Sequence, residues 1–241
     1  MTAAVFAGGS SGTGARRLGY REPRSGYEIV LTTPASDPRW WQDYLAGAVD
    51  SYRAHGVEHA LGLEQIGDGR STSLLVVALD ADRRVIGGIR TQGPYTEVDQ
   101  AHAVEEWEGH PGQAEVRARV AAWLPGGVVE MKAAWAADDV PDRRELVECL
   151  CRTPFHAATV LGARYSMGTA AAHIVPGWTR AGGVVAIDIP PVPYPDERYR
   201  TSLVCFDVTA LSDSMTDRER AAMDDEAAQL RGPRLPVRGS R

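Results

Sequence analysis

Residues 128–135 read Val-Val-Glu-Met-Lys-Ala-Ala-Trp (VVEMKAAW), and the arrangement of the other elements is read outward from this stretch. Pro125-Gly126-Gly127 releases it, and Asp138, Asp139 and Pro141 beyond it signal a helix start. Bounded in this way, it predicts a strand. Alternation puts Val128, Glu130, Lys132 and Ala134 on one face and Val129, Met131, Ala133 and Trp135 on the other. One face therefore carries Glu130 beside Lys132, the only lysine of the chain.

Toward the C-terminus, Leu146, Leu150, Ala157 and Leu161 form the stripe of a helix that Pro154 should kink or end early. A short strand at Arg164–Thr169, a helix around Ala172–Arg180 and a strand at Val184–Ile189 follow. A proline-rich corner (PPVPYPDERY) leads to a last strand, Thr201–Val208, and Thr216 with Glu219 fits the capping box of a final polar helix. Toward the N-terminus, the pattern from Glu97 to Trp123 is helical in two pieces broken at Gly109, Pro111 and Gly112. Before it, Ser73–Asp80 and Arg84–Thr91 flank Ala81-Asp82-Arg83 as a hairpin. Tyr27–Thr33 alternates as a strand, and Trp40, Tyr44, Leu45, Ala48 and Tyr52 recur at helical spacing.

The sum is an α/β fold of the α+β kind, a mixed, mostly antiparallel central sheet flanked by helices, in one domain over residues 27–211 with a helical insertion at about 97–123. Residues 1–26 and 212–241, the latter with the polar helix, read as mobile termini poor in apolar surface. A chain from Ser25 to Leu211 is expected to be as stable as the whole.

Composition narrows the function. With 44% hydrophobic and 24% charged residues the chain is globular, and 26 basic against 32 acidic side chains give a net charge of −6, no field for a nucleic-acid backbone. The longest apolar run, Leu74–Leu79, is too short to span a membrane, and no secretory signal is apparent at the start, so the expected location is cytoplasmic. Cys149, Cys151 and Cys205 lack metal-ligand spacing and read as packing residues. Ala7-Gly8-Gly9-Ser10-Ser11-Gly12-Thr13-Gly14 resembles a dinucleotide loop, but Gly19 and Pro23 interrupt the helix such a loop must precede, so it reads as part of the tail.

The order strand, helix, antiparallel hairpin, central strand, helix, strand, helix, strand, strand, over roughly Tyr27 to Val208, resembles the GNAT-type acyltransferase fold. VVEMKAAW followed by DRRELVECL and HAATVLGARYSMGTAAAH is most similar to the autoinducer-synthase and N-acyl amino acid synthase branch. The chain departs from ordinary acetyltransferases in that AADDVPDRREL, after the central strand, has no glycine where their Gln/Arg-x-x-Gly-x-Gly/Ala loop stands.

The resemblance implies transfer of an acyl group from CoA or an acyl-phosphopantetheine carrier, with acyl carrier protein as one possible partner, to a small amine, an amino acid among them. A neutral amine attacks the thioester carbonyl. Backbone amides at Trp135, Ala136 and Ala137 would polarise that carbonyl. Glu130 is the candidate base, with Lys132 setting its charge state; the alternative is a structural ion pair. His173 sits where the fold often places an acid for the leaving thiolate, and Arg143 and Arg144 at a helix start could meet phosphate or pantetheine oxygens. Arg90 could grip a substrate carboxylate, and Tyr194 could line a pocket mouth. Glu105, Glu106 and Glu108, with His110, read first as a solvated helix end and alternatively as an attractor for a cationic amine; no metal is expected. The competing reading is a noncatalytic protein that binds an acyl ligand or a partner on the same fold. An open V-shaped cleft beside the central strand separates the two. Oligomeric state is left open.

Overall fold

The computed structural model describes residues 17–232. Eight strands form one sheet: β1 (Gly19–Arg21), β2 (Glu28–Thr32), β3 (Leu74–Leu79), β4 (Val85–Gln92), β5 (Val128–Ala136), β6 (Tyr165–Ala171), β7 (Val184–Val185) and β8 (Thr201–Asp207). Their order is β1-β2-β3-β4-β5-β6-β8-β7. Seven helices are described: α1 (Pro38–Ala54), α2 (Leu63–Ile66), α3 (His102–Glu106), α4 (Gln113–Trp123), α5 (Arg143–Leu161), α6 (Val175–Arg180) and α7 (Asp217–Arg231). All neighbouring strands are antiparallel except β5 and β6, which run parallel because α5 carries the chain back across the sheet.

Alternation assigns the two faces. Ile29, Leu31, Leu74, Val76, Ile89 and Met131 point to the face covered by α5, α6 and α7. On the opposite face, Val30, Leu75, Val77 and Leu79 pack under Trp41, Tyr44 and Ala48 of α1. Val128, Met167 and Leu203 take Trp107, Val116 and Val120 of the insertion, which is helical in two pieces as its pattern predicts.

The expectations for the two termini are corrected. The N-terminal tail does not extend to Gly26: β1 pairs with β2, Tyr20 is fully buried, and Glu22 is buried against Arg152. The polar helix at the other end keeps its Thr216 cap, but it packs onto the domain through Ala222, Met223 and the buried Glu219 and Glu226. Both segments add buried charge pairing to their apolar contacts, and an apolar pattern does not reveal that pairing. The glycine-rich motif at residues 7–14 lies outside the described residues.

Pro154 neither ends nor interrupts α5, which is continuous to Leu161. The bond that proline removes is the one to the Leu150 carbonyl, and the Thr153 hydroxyl donates to that carbonyl at 2.6 Å instead. The strand expected over Val184–Ile189 shortens to β7, because Ala186 and Ile189 turn into the core of the insertion.

Candidate active site

The central strand β5 is irregular, and the irregularity makes the site. Opposite β4 its register runs Thr91↔Met131, Arg90↔Lys132 and then Gly88↔Trp135, so Ala133 and Ala134 face Ile89 alone, a bulge with Ala133 at φ +52°. The extra residue reverses the alternation. Trp135 therefore lies on the face of Glu130 and Lys132, packed on Tyr44 and α1, not on the opposite face. Gly47 of α1 is required there, since a Cβ would stand 2.1 Å from the Trp135 ring.

On the other side of β5, pairing with β6 stops at Met131↔Gly168. Beyond that point the two strands diverge, and Ala133 and Ala134 have no ladder partner on either neighbour. The Trp178 ring lies against Gly168 at the start of the split, 2.4 Å from where a Cβ would be. The result is an open cleft with a cavity of about 470 Å³ that reaches both faces of the sheet. One arm is apolar, with Ile89, Met131, Val147, Leu150, Cys151 and Trp178. The other is polar, with Tyr52, Arg90, Glu106, Lys132 and Tyr194.

The sequence-predicted residues divide on this geometry. Arg90, Lys132, Trp135, Ala136, Arg143, His173 and Tyr194 line the cavity; Glu130, Ala137 and Arg144 do not. The Ala137 amide donates to the Ile86 carbonyl at 2.9 Å, so it is committed to the sheet and not free to polarise a ligand. Arg144 is 75% exposed and ion-paired to Glu148 at 3.0 Å, whereas Arg143 stands at the cavity mouth, 2.9 Å from Asp138.

Glu130 is fully buried and saturated. Its carboxylate accepts from the Tyr95 hydroxyl at 2.8 Å, from the amides of His102 and Ala103 at 2.9 and 3.1 Å, and from Lys132 Nζ at 3.5 Å. It satisfies the first amides of α3 and so fixes the insertion against β5. This geometry corrects the picture of Glu130 as a carboxylate open to substrate.

Sequence reading offered Glu106 only as one of an acidic run that reads first as a solvated helix end and alternatively as an attractor for a cationic amine; the structure sets it apart as the carboxylate facing the cavity. Its Oε1 lies 2.6 Å from Lys132 Nζ and 2.8 Å from His102 Nδ1, and its Oε2 is buried without a partner among the described residues. The usable signal was the four-residue spacing of His102 and Glu106, which stacks them on one helix face. Burial pushes the Glu106 carboxyl up, but Lys132 and His102 beside it together outweigh burial and hold it below the usual carboxylate range. Burial pushes Lys132 down, and Glu106 and Glu130 reverse that, raising it above the usual lysine value. His102, Glu106 and Glu130 bring possible metal-ligand atoms within 4.8 Å of one another, and the cation already among them is the Lys132 ammonium.

Arg90 is 4% exposed, and its Nε and Nη1 have no hydrogen-bond partner among the described residues. Burial pushes the Cys151 thiol up to about 12, so that cavity residue is an uncharged wall.

No protein-family model matches the chain. Uncharacterised proteins of Mycobacterium tuberculosis and Mycobacterium bovis are each 40% identical to it over 202 residues, covering 84% of this chain and 77% of theirs. A CoA-dependent acyl-homoserine lactone synthase, BjaI, solved with SAM and isopentyl-CoA, is 16% identical with a TM-score of 0.51, covering 90% of this chain and 95% of that one. The same synthase with MTA superposes with the same TM-score at 15% identity. That likeness shows the fold alone, the GNAT-like fold that the order of elements resembles. Among the described residues no helix is long and apolar enough to cross a membrane.

Proposed function

This chain belongs to the family of those mycobacterial proteins, and we propose that it is an N-acyltransferase, moving an acyl group from a thioester of CoA or an acyl carrier protein to a small amine. The observation that carries the reading is the split between β5 and β6, which joins an apolar arm to a polar, charged one at the point where the strands part. A thioester laid across the split would send its acyl chain among Met131, Leu150 and Trp178 and hold its carbonyl beside the ladder-free Ala133 and Ala134. Their backbone amides, without ladder partners, would be the donors for a developing oxyanion, just ahead of the Trp135, Ala136 and Ala137 to which the resemblance gives that role. Arg143 and His173 stand at the mouth, where a phosphate or pantetheine oxygen and the leaving sulfur would lie. Arg90, buried with two unpartnered nitrogens, fits an acceptor that carries a carboxylate, as amino acids do.

The test is to incubate the purified chain with acetyl- to decanoyl-CoA and a mixture of the twenty amino acids and simple alkylamines, and to look for new N-acyl products by mass spectrometry. One thioester and one amine should yield an amide together with free CoA. Thioester binding without any product would instead favour a noncatalytic acyl-binding protein, and the absence of both would defeat the acyl reading.

A further inference from the structure

Building on the acyltransferase reading, we propose that Glu106, rather than Glu130, is the carboxylate that receives the acceptor's ammonium group, through Oε2, and that His102 passes the released proton to solvent. Both acids flank Lys132, yet their surroundings differ. Glu130 is enclosed, outside the cavity wall, and its two oxygens already accept from four donors. A carboxylate has about four lone-pair sites, so none remains for a substrate. Glu106 lines the cavity, spends Oε1 on Lys132 and His102, and keeps Oε2 buried and unpartnered. Buried oxygens without a donor are rare in folded proteins, and an ammonium supplies the missing N–H groups.

The neighbouring imidazole is arranged to take the proton on. Lys132 Nζ lies 2.7 Å from His102 Nδ1 and, as an ammonium, can only donate, so Nδ1 is the accepting nitrogen. The 2.8 Å approach of that same Nδ1 to Glu106 Oε1 then holds no proton until Glu106 acquires one. The His102 side chain is 33% exposed, and its Nε2 lies 3.7 Å from the exposed Glu105 carboxylate, an outlet toward solvent.

The step balances. The ammonium gives one proton to Glu106 Oε2; the neutral carboxyl turns to present it to His102 Nδ1 as the Lys132 N–H leaves that lone pair, Nδ1 takes it, and the Nε2 proton leaves to solvent. The neutral amine forms the C–N bond, the C–S bond breaks, and the second nitrogen proton leaves on the sulfur as free thiol.

The experiment is steady-state thiol release by the full chain and its Glu106→Gln, Glu106→Asp and Glu130→Gln variants, with the thioester and amine that the wild type uses, alongside the dissociation constant for the thioester. Glu106→Gln should lower kcat/KM for the amine about a hundredfold or more and raise its KM, with thioester affinity within twofold of wild type. Glu106→Asp should recover part of that loss. Retention of amine kcat/KM within threefold in a folded Glu106→Gln chain overturns the inference and leaves the acyltransferase reading standing. Should Glu106→Gln not fold, Glu106→Asp decides, with a loss of at least tenfold expected and wild-type kinetics overturning the inference. A wild type that releases no thiol with any pair defeats the underlying reading, and the inference with it.

Discussion

Beneath the sheet, between α5 and α7, the Arg152 guanidinium gives each of its nitrogens to a carboxylate: Nε to Glu226, Nη1 to Glu219, and Nη2 to Glu22 and Glu226. Glu226 in turn meets His156 Nε2 at 2.8 Å, and Arg24 joins Glu22 and Glu219 at the edge. Above the sheet, Arg90 is almost as deeply enclosed, yet two of its nitrogens are unpartnered, and so is Glu106 Oε2 across the same cavity. Both clusters bury charge. One is closed around Arg152 and ties β1, α5 and α7 together, its one unpartnered nitrogen, Arg24 Nη2, lying at the edge and away from the cavity; the other is open on the side where a ligand would enter. Burial of charge alone therefore does not mark a site, whereas burial without completed hydrogen bonds, beside a cavity, does.

The largest effect should come from cutting the closed cluster out. A chain reduced to residues 25–211 loses Glu22, Glu219 and Glu226 together with Tyr20, leaving Arg152 buried without these partners and the α5 face uncovered. Its thermal melt by circular dichroism should show no cooperative transition. A sharp transition within a few degrees of the full chain would mean that the cluster decorates the domain rather than holding it.

Arg152→Met probes the same cluster with one side chain. Removing the cation strands three buried carboxylates, and breaking such a group typically costs about 3–5 kcal/mol. For a domain of this size that lowers the melting temperature by about 10 °C or more. Arg152→Lys should recover little, because a point charge cannot serve three carboxylates through a planar fork. A melting temperature within about 2 °C of wild type for Arg152→Met would erase the contrast between the clusters.

The comparison also explains what could be read in advance. Apolar periodicity located six of the eight strands closely, from Glu28–Thr32 to Thr201–Asp207, because each buries at least one apolar face. It missed β1 and the docking of α7, whose buried contacts include Glu22, Arg24, Glu219 and Glu226, residues that look solvated in a linear pattern. Lys132 was recognisable because it lies before the bulge in β5, where strict alternation sets it beside Glu130, and Arg90 because an arginine ends the strand VIGGIR. Trp135 was placed on the wrong face because no residue type in Met131–Trp135 announces an extra residue in the strand. Glu106 lay among three acids of a helix end, and only the fold brings it over Lys132.

Acid should act on the closed cluster next. Burial pushes the Glu22 carboxyl up, but hydrogen bonds from Ser25 and Arg24 outweigh it; burial likewise raises Glu219, and Arg152 and Arg24 outweigh that. Both carboxyls are thus held below their ordinary value, about 4.3 for the unfolded chain. Groups depressed in this way contribute stability that is present above the unfolded value and lost as pH falls through the folded one. Urea midpoints should stay level from pH 7 to about 5 and decline below about 4.5, and Arg152→Met should shallow that decline. An equally steep acid limb in the variant would place the acid-sensitive groups elsewhere.

The smallest change in stability, and the one that separates the clusters most directly, is expected from Arg90→Met. Methionine keeps the length of the side chain and its packing beneath α1 but removes the charge. Arg90 has two nitrogens already unsatisfied and forms no ion pair among the described residues, so the substitution strands no partner as Arg152→Met does. Replacing a buried, uncompensated polar group by an apolar one of similar shape is commonly neutral or stabilising. The urea-derived unfolding free energy should therefore stay within about 1 kcal/mol of wild type or rise, while KM for an acceptor carrying a carboxylate should increase at least tenfold, with thioester affinity unaffected. A destabilisation as large as that of Arg152→Met, with acceptor KM unchanged, would place Arg90 among the structural charges. The open cluster would then be reduced to Glu106, Lys132 and His102, and the acceptor would need no carboxylate.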